Sequence, residues 1–315
     1  MKTPVLMFLR VLLLLSCLLL SGKKCVAQTT LSDSFSTSLD YLANGIQGTI
    51  WDGVYLGAGE FANTGTGGGT AGATINCDAN ITANGVLSVT TTSTAWEGVD
   101  DDGFFLYKVV PGDFSAVVRV VSPYDNSAYN TAGLLVRAFS PGGNPLGGSE
   151  DYVSWTRFDQ FGYANYLRNE VNGAVAQINP GGFPNNSYWL RIDRINGTNF
   201  QFYQRATAGD PWQLVNFPAP VSGTMLRRAD FAGLPLQVGI MHATFNNALS
   251  VRFSDFSITS PHFDSIATPP TPVTDLAIDV GTNRNATLSW AAGAGSAGTL
   301  IAMWTGANVL KQRPV

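Results

Sequence analysis

The chain has 315 residues, 45% of them hydrophobic and only 13% charged, with a formal net charge of −4 and a pI near 5.1. The charged share is about half that of an ordinary globular domain, so solubility must come from Ser, Thr, Asn, Gln and Gly, as in secreted all-β proteins. No basic block occurs, which argues against nucleic acid or an anionic membrane surface as partner.

Residues 1–27 read as a signal peptide. Lys2 and Arg10 supply the charged start, VLLLLSCLLL (11–20) the apolar run, and CVA before Gln28 a small-residue cleavage site. The run is too short to span a bilayer as a helix, so no membrane span is expected once the signal is removed. Lys23 and Lys24 interrupt the usual neutral stretch, and LLSC at Cys17 leaves a lipoprotein reading open beside soluble secretion. Cleavage after Ala27 leaves Cys77 as the one cysteine. One thiol builds neither a disulfide framework nor a zinc site, and in ATINCDAN it reads as a small buried hydrophobe.

Beyond residue 30, short runs alternate apolar and polar residues between turn residues, with almost nothing at helical period. Strands are expected at 85–92, 103–110, 113–121, 132–139, 151–158, 188–195, 199–206, 235–245 and 249–259. The connectors VPGD, SPGGNPLGGSE, NPGGFPNNS and TAGDP supply turn geometry. The one expected helical turn is RRADFAG (227–233). Many strands and little helix predict a sandwich of two antiparallel sheets. SIATPPTPV (265–273) has the composition of a linker, and VTDLAIDV, NATLSW and GTLIAMW after it read as three further strands. GGGTAG (67–72) and GAGSAG (293–298) match a nucleotide-binding glycine pattern, but β-like sequence rather than a helix follows each, which excludes that reading.

The segment from Tyr188 to Val215 carries the strongest pattern. By strand parity Leu190, Ile192, Phe200 and Phe202 point to one side and pack in the core, and Asn196-Gly197 makes a tight turn between the two strands. The opposite face then carries Trp189, Arg191, Asp193, Gln201, Tyr203 and Arg205. Aromatic rings stack on the apolar faces of sugars, and amide and guanidinium groups bind hydroxyls, so these six are the candidate ligand-binding residues. The plainer alternative is an ordinary outer face with cross-strand pairs. Arg119, Arg137, Arg157 and Arg252 lie on other expected strands.

Catalytic signals are sparse. The chain has two histidines. His242 lies within an expected strand and reads as a packed residue, His262 precedes the linker, and no G-x-S-x-G occurs. A glycosidase needs two carboxylates roughly 5–9 Å apart, and no strand carries a run of acids on one face. WEGVDDDG (96–103) is the densest acidic cluster. Its Asp100, Asp101 and Asp102 are the candidate calcium ligands, against the alternative of a solvated acidic turn. No other cofactor is expected. Four N-x-S/T sequons, at Asn80, Asn185, Asn196 and Asn285, matter only in a eukaryotic secretory route.

The hairpin YWLRIDRINGTNFQFYQRATAGDPWQLV, the strand NTAGLLVRAF, the closing LPLQVGIMHATFNNALSVRFSDFSI and the opening DSFSTSLDYLANGIQGTIWDGVYLG together resemble bacterial secreted domains of the concanavalin A-like lectin/glucanase superfamily, close to laminin-G-like modules. The resemblance covers residues 31–260. It implies a jelly roll in which the first strand, DSF, pairs with the last, SDFSI, and it carries over no catalytic residue. After a Pro-rich linker over 261–272, residues 273–315 resemble the start of a fibronectin type III domain, on the Pro-led first strand and LSW. A full domain of that type needs about 100 residues, so the chain is expected to be the amino-terminal part of a longer multidomain protein.

The sequence therefore predicts an all-β protein: a concanavalin A-like jelly-roll sandwich of two antiparallel sheets, then an incomplete fibronectin type III-like β-sandwich. The expected function is a secreted or cell-surface, non-catalytic module that binds a polysaccharide or glycan, attached to further domains of the same chain. The alternatives are a glycoside hydrolase or its accessory domain, with Glu97, Asp102, Glu150 and Asp151 as acids brought together from loops, and an adhesion spacer with no small ligand.

Overall fold

The computed structural model describes residues 28–56, 73–97, 100–101, 103–121, 130–139, 150–158, 164–180, 188–244, 248–263, 274–280 and 286–291. The expected signal peptide, most of the expected linker and the chain beyond residue 291 lie outside them.

The chain opens with β1 (Thr29–Asp33), β2 (Leu39–Asp40), the one-turn helix α1 (Tyr41–Asn44), β3 (Gly53–Tyr55), β4 (Ala73–Ala79) and β5 (Leu87–Thr92). Then come β6 (Trp96–Glu97), β7 (Asp100–Asp101), β8 (Phe104–Pro111), β9 (Phe114–Val120), β10 (Asn130–Arg137) and β11 (Tyr152–Phe158). Next are β12 (Ala164–Val171), β13 (Ala174–Ile178), β14 (Trp189–Ile195), β15 (Asn199–Arg205), β16 (Gln213–Leu214) and β17 (Leu226–Arg227). A 3-10 turn (Ala229–Phe231) precedes β18 (Pro235–Thr244) and β19 (Leu249–Ser260), and β20 (Thr274–Val280) and β21 (Ala286–Ala291) follow.

Two antiparallel sheets form the sandwich. The first runs β16-β15-β14-β9-β19-β5-β4-β2, with β1 also on β19 and β17 also on β15. The second runs β13-β12-β11-β10-β18-β8-β3. This is the all-β, jelly-roll type of sandwich that the sequence predicts. First and last strands pair as the resemblance implies, Asp33 opposite Phe256 and Thr29 opposite Ser260, so the opening strand begins upstream of DSF. β20 and β21 pair antiparallel with each other; the third strand expected in that region lies outside the described residues.

The core follows strand parity. From the first sheet Leu87, Val89, Ala116, Val118, Leu190, Ile192, Phe200, Phe202, Val251 and Phe253 face inward, and Leu106, Leu134, Val136, Val153, Trp155, Leu167, Val238 and Ile240 meet them from the second. Burying each large apolar side chain contributes roughly 1.5–3 kcal/mol. Cys77 is wholly buried in this core, where burial pushes its thiol pKa well up, the condition of an inert cysteine.

One irregularity matters for the surface. Register between β9 and β19 shifts between Ser254 and Ser257, and Asp255 takes a left-handed backbone with φ 53°. This bulge inserts one residue, so inward positions switch from Val251 and Phe253 to Phe256 and Ile258. It also ends the pairing with β5 at Phe253 and begins that with β1 at Phe256 on the same edge of β19.

Two turns are built alike. At the β14–β15 turn Asn196 and Gly197 have φ of 53° and 72°, and the Asp113 carboxylate accepts both of their amides at 2.9 and 2.7 Å. At the β12–β13 turn Asn172 and Gly173 have φ of 50° and 75°. There the Asn172 amide donates to the Asp151 carboxylate at 2.9 Å, and the Gly173 amide to the Glu150 carbonyl at 2.9 Å. Positive φ at both central positions is the two-residue hairpin geometry that Asn-Gly favours.

Candidate functional site

β14 and β15 pair in the register Trp189 opposite Arg205, Arg191 opposite Tyr203 and Asp193 opposite Gln201. The six predicted residues therefore lie in three rows on the outer face of the first sheet. Their inward neighbours Leu190, Ile192, Phe200 and Phe202 are wholly buried, so parity holds on both strands. β9 continues each row, with Arg119 beside Trp189, Val117 beside Arg191 and Ser115 beside Asp193.

Within the face the polar groups divide into two kinds. Arg191 grips Asp193 with two parallel hydrogen bonds, Nε to Oδ1 at 2.7 Å and Nη2 to Oδ2 at 2.5 Å. Asp193 is only 7% exposed. Burial alone would lower the Arg191 pKa, but the hydrogen bond and charge of Asp193 outweigh it and hold the guanidinium above its usual range. Tyr203 Oη donates to Gln201 Oε1 at 3.0 Å, and burial, with the Asp193 charge, raises its pKa. These four residues satisfy one another.

Arg205 and Trp189 differ. The Arg205 guanidinium carbon lies 4.8 Å from the Trp189 ring centroid and 4.2 Å from that of Trp212. Arg191 in turn lies 4.6 Å from the Tyr203 ring and 5.8 Å from Trp212. Two cations thus alternate with three rings along the face, an arrangement in which each guanidinium is attracted by ring quadrupoles. The polar contact of Arg205 is a 3.3 Å bond from Nη1 to the Asp210 carbonyl. Burial lowers its pKa, opposed by the Asp210 charge and reinforced by that of Arg191.

An open groove of about 420 Å³ lies against Trp189, Arg205 and Trp212, floored by Val117 and closed on its far side by Asp33, Ser34, Asp255 and Ser257. The β19 bulge shapes that wall by turning Asp255 outward. Asp33 is anchored by the Phe35 amide at 2.8 Å and the Trp51 indole N–H at 3.0 Å, and Asp255 accepts the Ser254 hydroxyl at 2.6 Å. Sequence reasoning missed Trp212, Asp33 and Asp255 as groove residues. Trp212 stands in irregular chain just before β16 (Gln213–Leu214), where strand parity gives no direction, and the other two reach the face only through the pairing of the first strand with the last.

Among the described residues, two acids of the hydrolase alternative, Glu150 and Asp151, do not line this groove. Glu150 is 5% exposed and bound on both oxygens by Arg137, Nε to Oε2 at 2.6 Å and Nη2 to Oε1 at 2.5 Å. Burial raises its pKa despite the counter-ion. Asp151 accepts from Arg228 at 3.1 Å, and the same guanidinium binds Asp230 at 2.6 Å. Both carboxylates act as counter-ions. The side chains of Glu97, Asp100 and Asp101, and all of Asp102, lie outside the described residues. No group of three or more His, Cys, Asp or Glu able to hold a metal occurs among the described residues.

The Arg137–Glu150 pair belongs to a feature that the sequence did not reveal. The outer face of the second sheet is itself covered: Tyr55, Trp96, Phe105, Tyr107, Leu135, Tyr152 and Met241 form a second buried cluster there. Arg137, Arg168, Glu170 and Gln237 are buried beside them. Arg137 also donates to Gln237 at 2.9 Å, and the Trp96 carbonyl accepts from Tyr152 at 2.7 Å and Arg168 at 3.1 Å. His242 is buried on the inward side of β18, with Nδ1 3.0 Å from the Thr131 carbonyl and Nε2 3.2 Å from that of Leu249, the packed role expected for it.

No family model matches the sequence, and no curated protein matches it. Among solved structures, a functionally unknown protein from Saccharomyces cerevisiae is 22% identical over 56% of this chain and 89% of its own, with a TM-score of 0.42. The xylan β-1,4-xylosidase from Bacillus halodurans is 12% identical over 58% of this chain at a TM-score of 0.40, and the match spans 34% of the xylosidase. The CBM2 module of Lactobacillus casei BL23 phage J-1 evolved Dit is 13% identical over 74% of this chain and 96% of its own, at 0.41. None of these similarities is close enough to transfer an activity.

Proposed function

We propose that the outer face of the first sheet is a glycan-binding surface, and that the chain is a non-catalytic carbohydrate-binding module of an extracellular multidomain protein. The observation that carries this reading is the open groove against Trp189, Arg205 and Trp212. Its wall of rings and guanidinium faces carboxylates and hydroxyls across a gap of about 420 Å³. Rings present apolar area to the C–H faces of a sugar, while Asp33, Asp255, Ser34 and Ser257 present acceptors and donors to its hydroxyls. The ladder of rings and cations holds these side chains in place before a ligand arrives, which limits the ordering cost of binding.

The expected signal peptide and the low charge content support a place outside the cell, and the Pro-rich stretch after residue 261 supports attachment to further domains. Affinity electrophoresis of the secreted chain through gels containing neutral or acidic polysaccharides tests the reading. Retardation by at least one polysaccharide, lost in Trp212→Ala and weakened in Trp189→Ala, is the expected result. Unretarded migration in every gel refutes it.

A further inference from the structure

The site has a charge pattern that narrows the ligand, and the inference rests on the glycan-binding reading above. Trp189 is flanked in register by Arg205 on β15 and Arg119 on β9. Both arginines therefore arise from one row, with their backbone positions two strand spacings or about 10 Å apart, close to the length of a disaccharide repeat. Arg119 is in turn opposite Ser254 on β19. Arg252, two residues before Ser254 and ahead of the bulge, shares that outer face, because Val251 and Phe253 point inward. Arg119 and Arg252 are exposed.

Among the described residues none of these three arginines pairs with a carboxylate, whereas Arg137, Arg191 and Arg228 all do. The chain as a whole has 22 acidic against 18 basic residues. Three arginines without an ion pair, in a band across one sheet face, concentrate positive charge there although the protein is acidic. The Asp210 carboxylate acts on Arg205 through its charge but is held by the Thr207 amide at 2.8 Å, and the groove carboxylates Asp33 and Asp255 are tied to the Phe35 amide and Trp51 indole and to the Ser254 hydroxyl. Asp33 and Asp255 sit on the far wall, where they suit hydroxyl groups.

We propose that the ligand is a uronic-acid polysaccharide. Its sugar rings lie against Trp189 and Trp212, its carboxylates bind the Arg205–Arg119–Arg252 band, and its hydroxyls bind Asp33 and Asp255. Planar guanidinium matches carboxylate geometry, and a charged band alone does not account for the acids and rings beside it.

The test uses the full secreted chain with polygalacturonate, the same polymer fully methyl-esterified, neutral xylan and double-stranded DNA as probes, measured by affinity electrophoresis and titration calorimetry. Esterification removes the charge and keeps the backbone. The expected result is binding to polygalacturonate that weakens about tenfold on esterification and falls steeply with added salt. Arg119→Gln and Arg252→Gln should each weaken polygalacturonate binding roughly fivefold to tenfold while leaving the thermal midpoint unchanged, since both side chains are solvated. Equal affinity for acid and ester, or for xylan, with both Arg variants at wild-type strength, overturns the uronate assignment and leaves glycan binding standing. No binding to any polysaccharide overturns both. Retention by DNA as strong as by polygalacturonate shows a generic polyanion surface and also overturns it.

Discussion

The indole N–H of Trp155 on the second sheet donates to the main-chain carbonyl of Tyr203 on the first, at 2.9 Å. The Trp155 ring also packs against Phe202 at 6.0 Å and Phe217 at 5.8 Å between ring centroids. One core side chain thus fixes, from behind, the strand that presents Arg205 to the groove. Trp155→Phe keeps most of the packing and removes the donor, leaving a carbonyl without its partner. Loss of about 1–3 kcal/mol of stability is expected. Urea unfolding should show a lower midpoint with an unchanged slope.

Asp193 separates pairing from binding on the outer face. Asp193→Asn keeps the side-chain shape and removes the charge that Arg191 grips. Arg191 is partly solvated, so the pair contributes little to stability, and a loss of about 1 kcal/mol or less is expected. The face meanwhile gains one positive charge, and the Arg191 pKa should fall because the interaction that raised it is gone. Binding of polygalacturonate should tighten and become more salt-sensitive, which titration at two ionic strengths checks. Weaker binding would show that the Arg191–Asp193 pair itself contacts the ligand.

How far the sequence revealed this arrangement depended on the residues in each element. AVVRV was legible because burial on one face imposes period two, and VGIMHAT, buried on both faces, was legible as a short apolar run next to turn residues. β12 and β13 were not. Leu167 and Ile178 are their buried aliphatic residues, while Tyr166, Arg168 and Glu170 lie on a second face that is also buried, so the alternation carries no hydrophobic contrast. A local signal was present in Asn172-Gly173, which forms the same turn as Asn196-Gly197. The bulge at Asp255 left a trace in the three-residue step from Phe253 to Phe256. The groove required long-range pairing, β1 against β19 beside β9 and β14, and no local pattern encodes it.

The buried pair Arg137–Glu150 gives a sharp test of the covered outer face of the second sheet. Removing one partner leaves an uncompensated charge or an unmatched donor set in a dry site. Arg137→Met is expected to destabilise by about 3–5 kcal/mol. Replacing both, Arg137→Met with Glu150→Leu, should recover most of that loss, because apolar side chains suit the neighbouring Tyr55, Leu135 and Tyr152 cluster. The double-mutant cycle from chemical denaturation measures the coupling. A double variant as unstable as the sum of the singles would show that the polar network, including Gln237 at 2.9 Å from Arg137, is required for that face to pack.

His242 should dominate the acid side of the stability profile. Its ring is wholly buried, and both nitrogens face main-chain carbonyls at 3.0 and 3.2 Å. A neutral imidazole has one N–H, so it satisfies only one of them, and burial nonetheless pulls the pKa down to about 4 from 6.5. The folded pKa is below the unfolded one, so the unfolded chain takes up the proton first as pH falls. The contribution of His242 is therefore complete above pH 6.5 and declines as pH drops towards 4, by up to about 3 kcal/mol. Glu150 has the opposite sign. Burial raises its folded pKa, so its contribution is greatest at low pH and is lost as pH rises through that folded value. Unfolding free energy measured between pH 7 and pH 4 should fall steeply in the wild type. In His242→Gln that slope should flatten whatever the absolute stability of the variant, and an unchanged slope would assign the acid sensitivity to other groups.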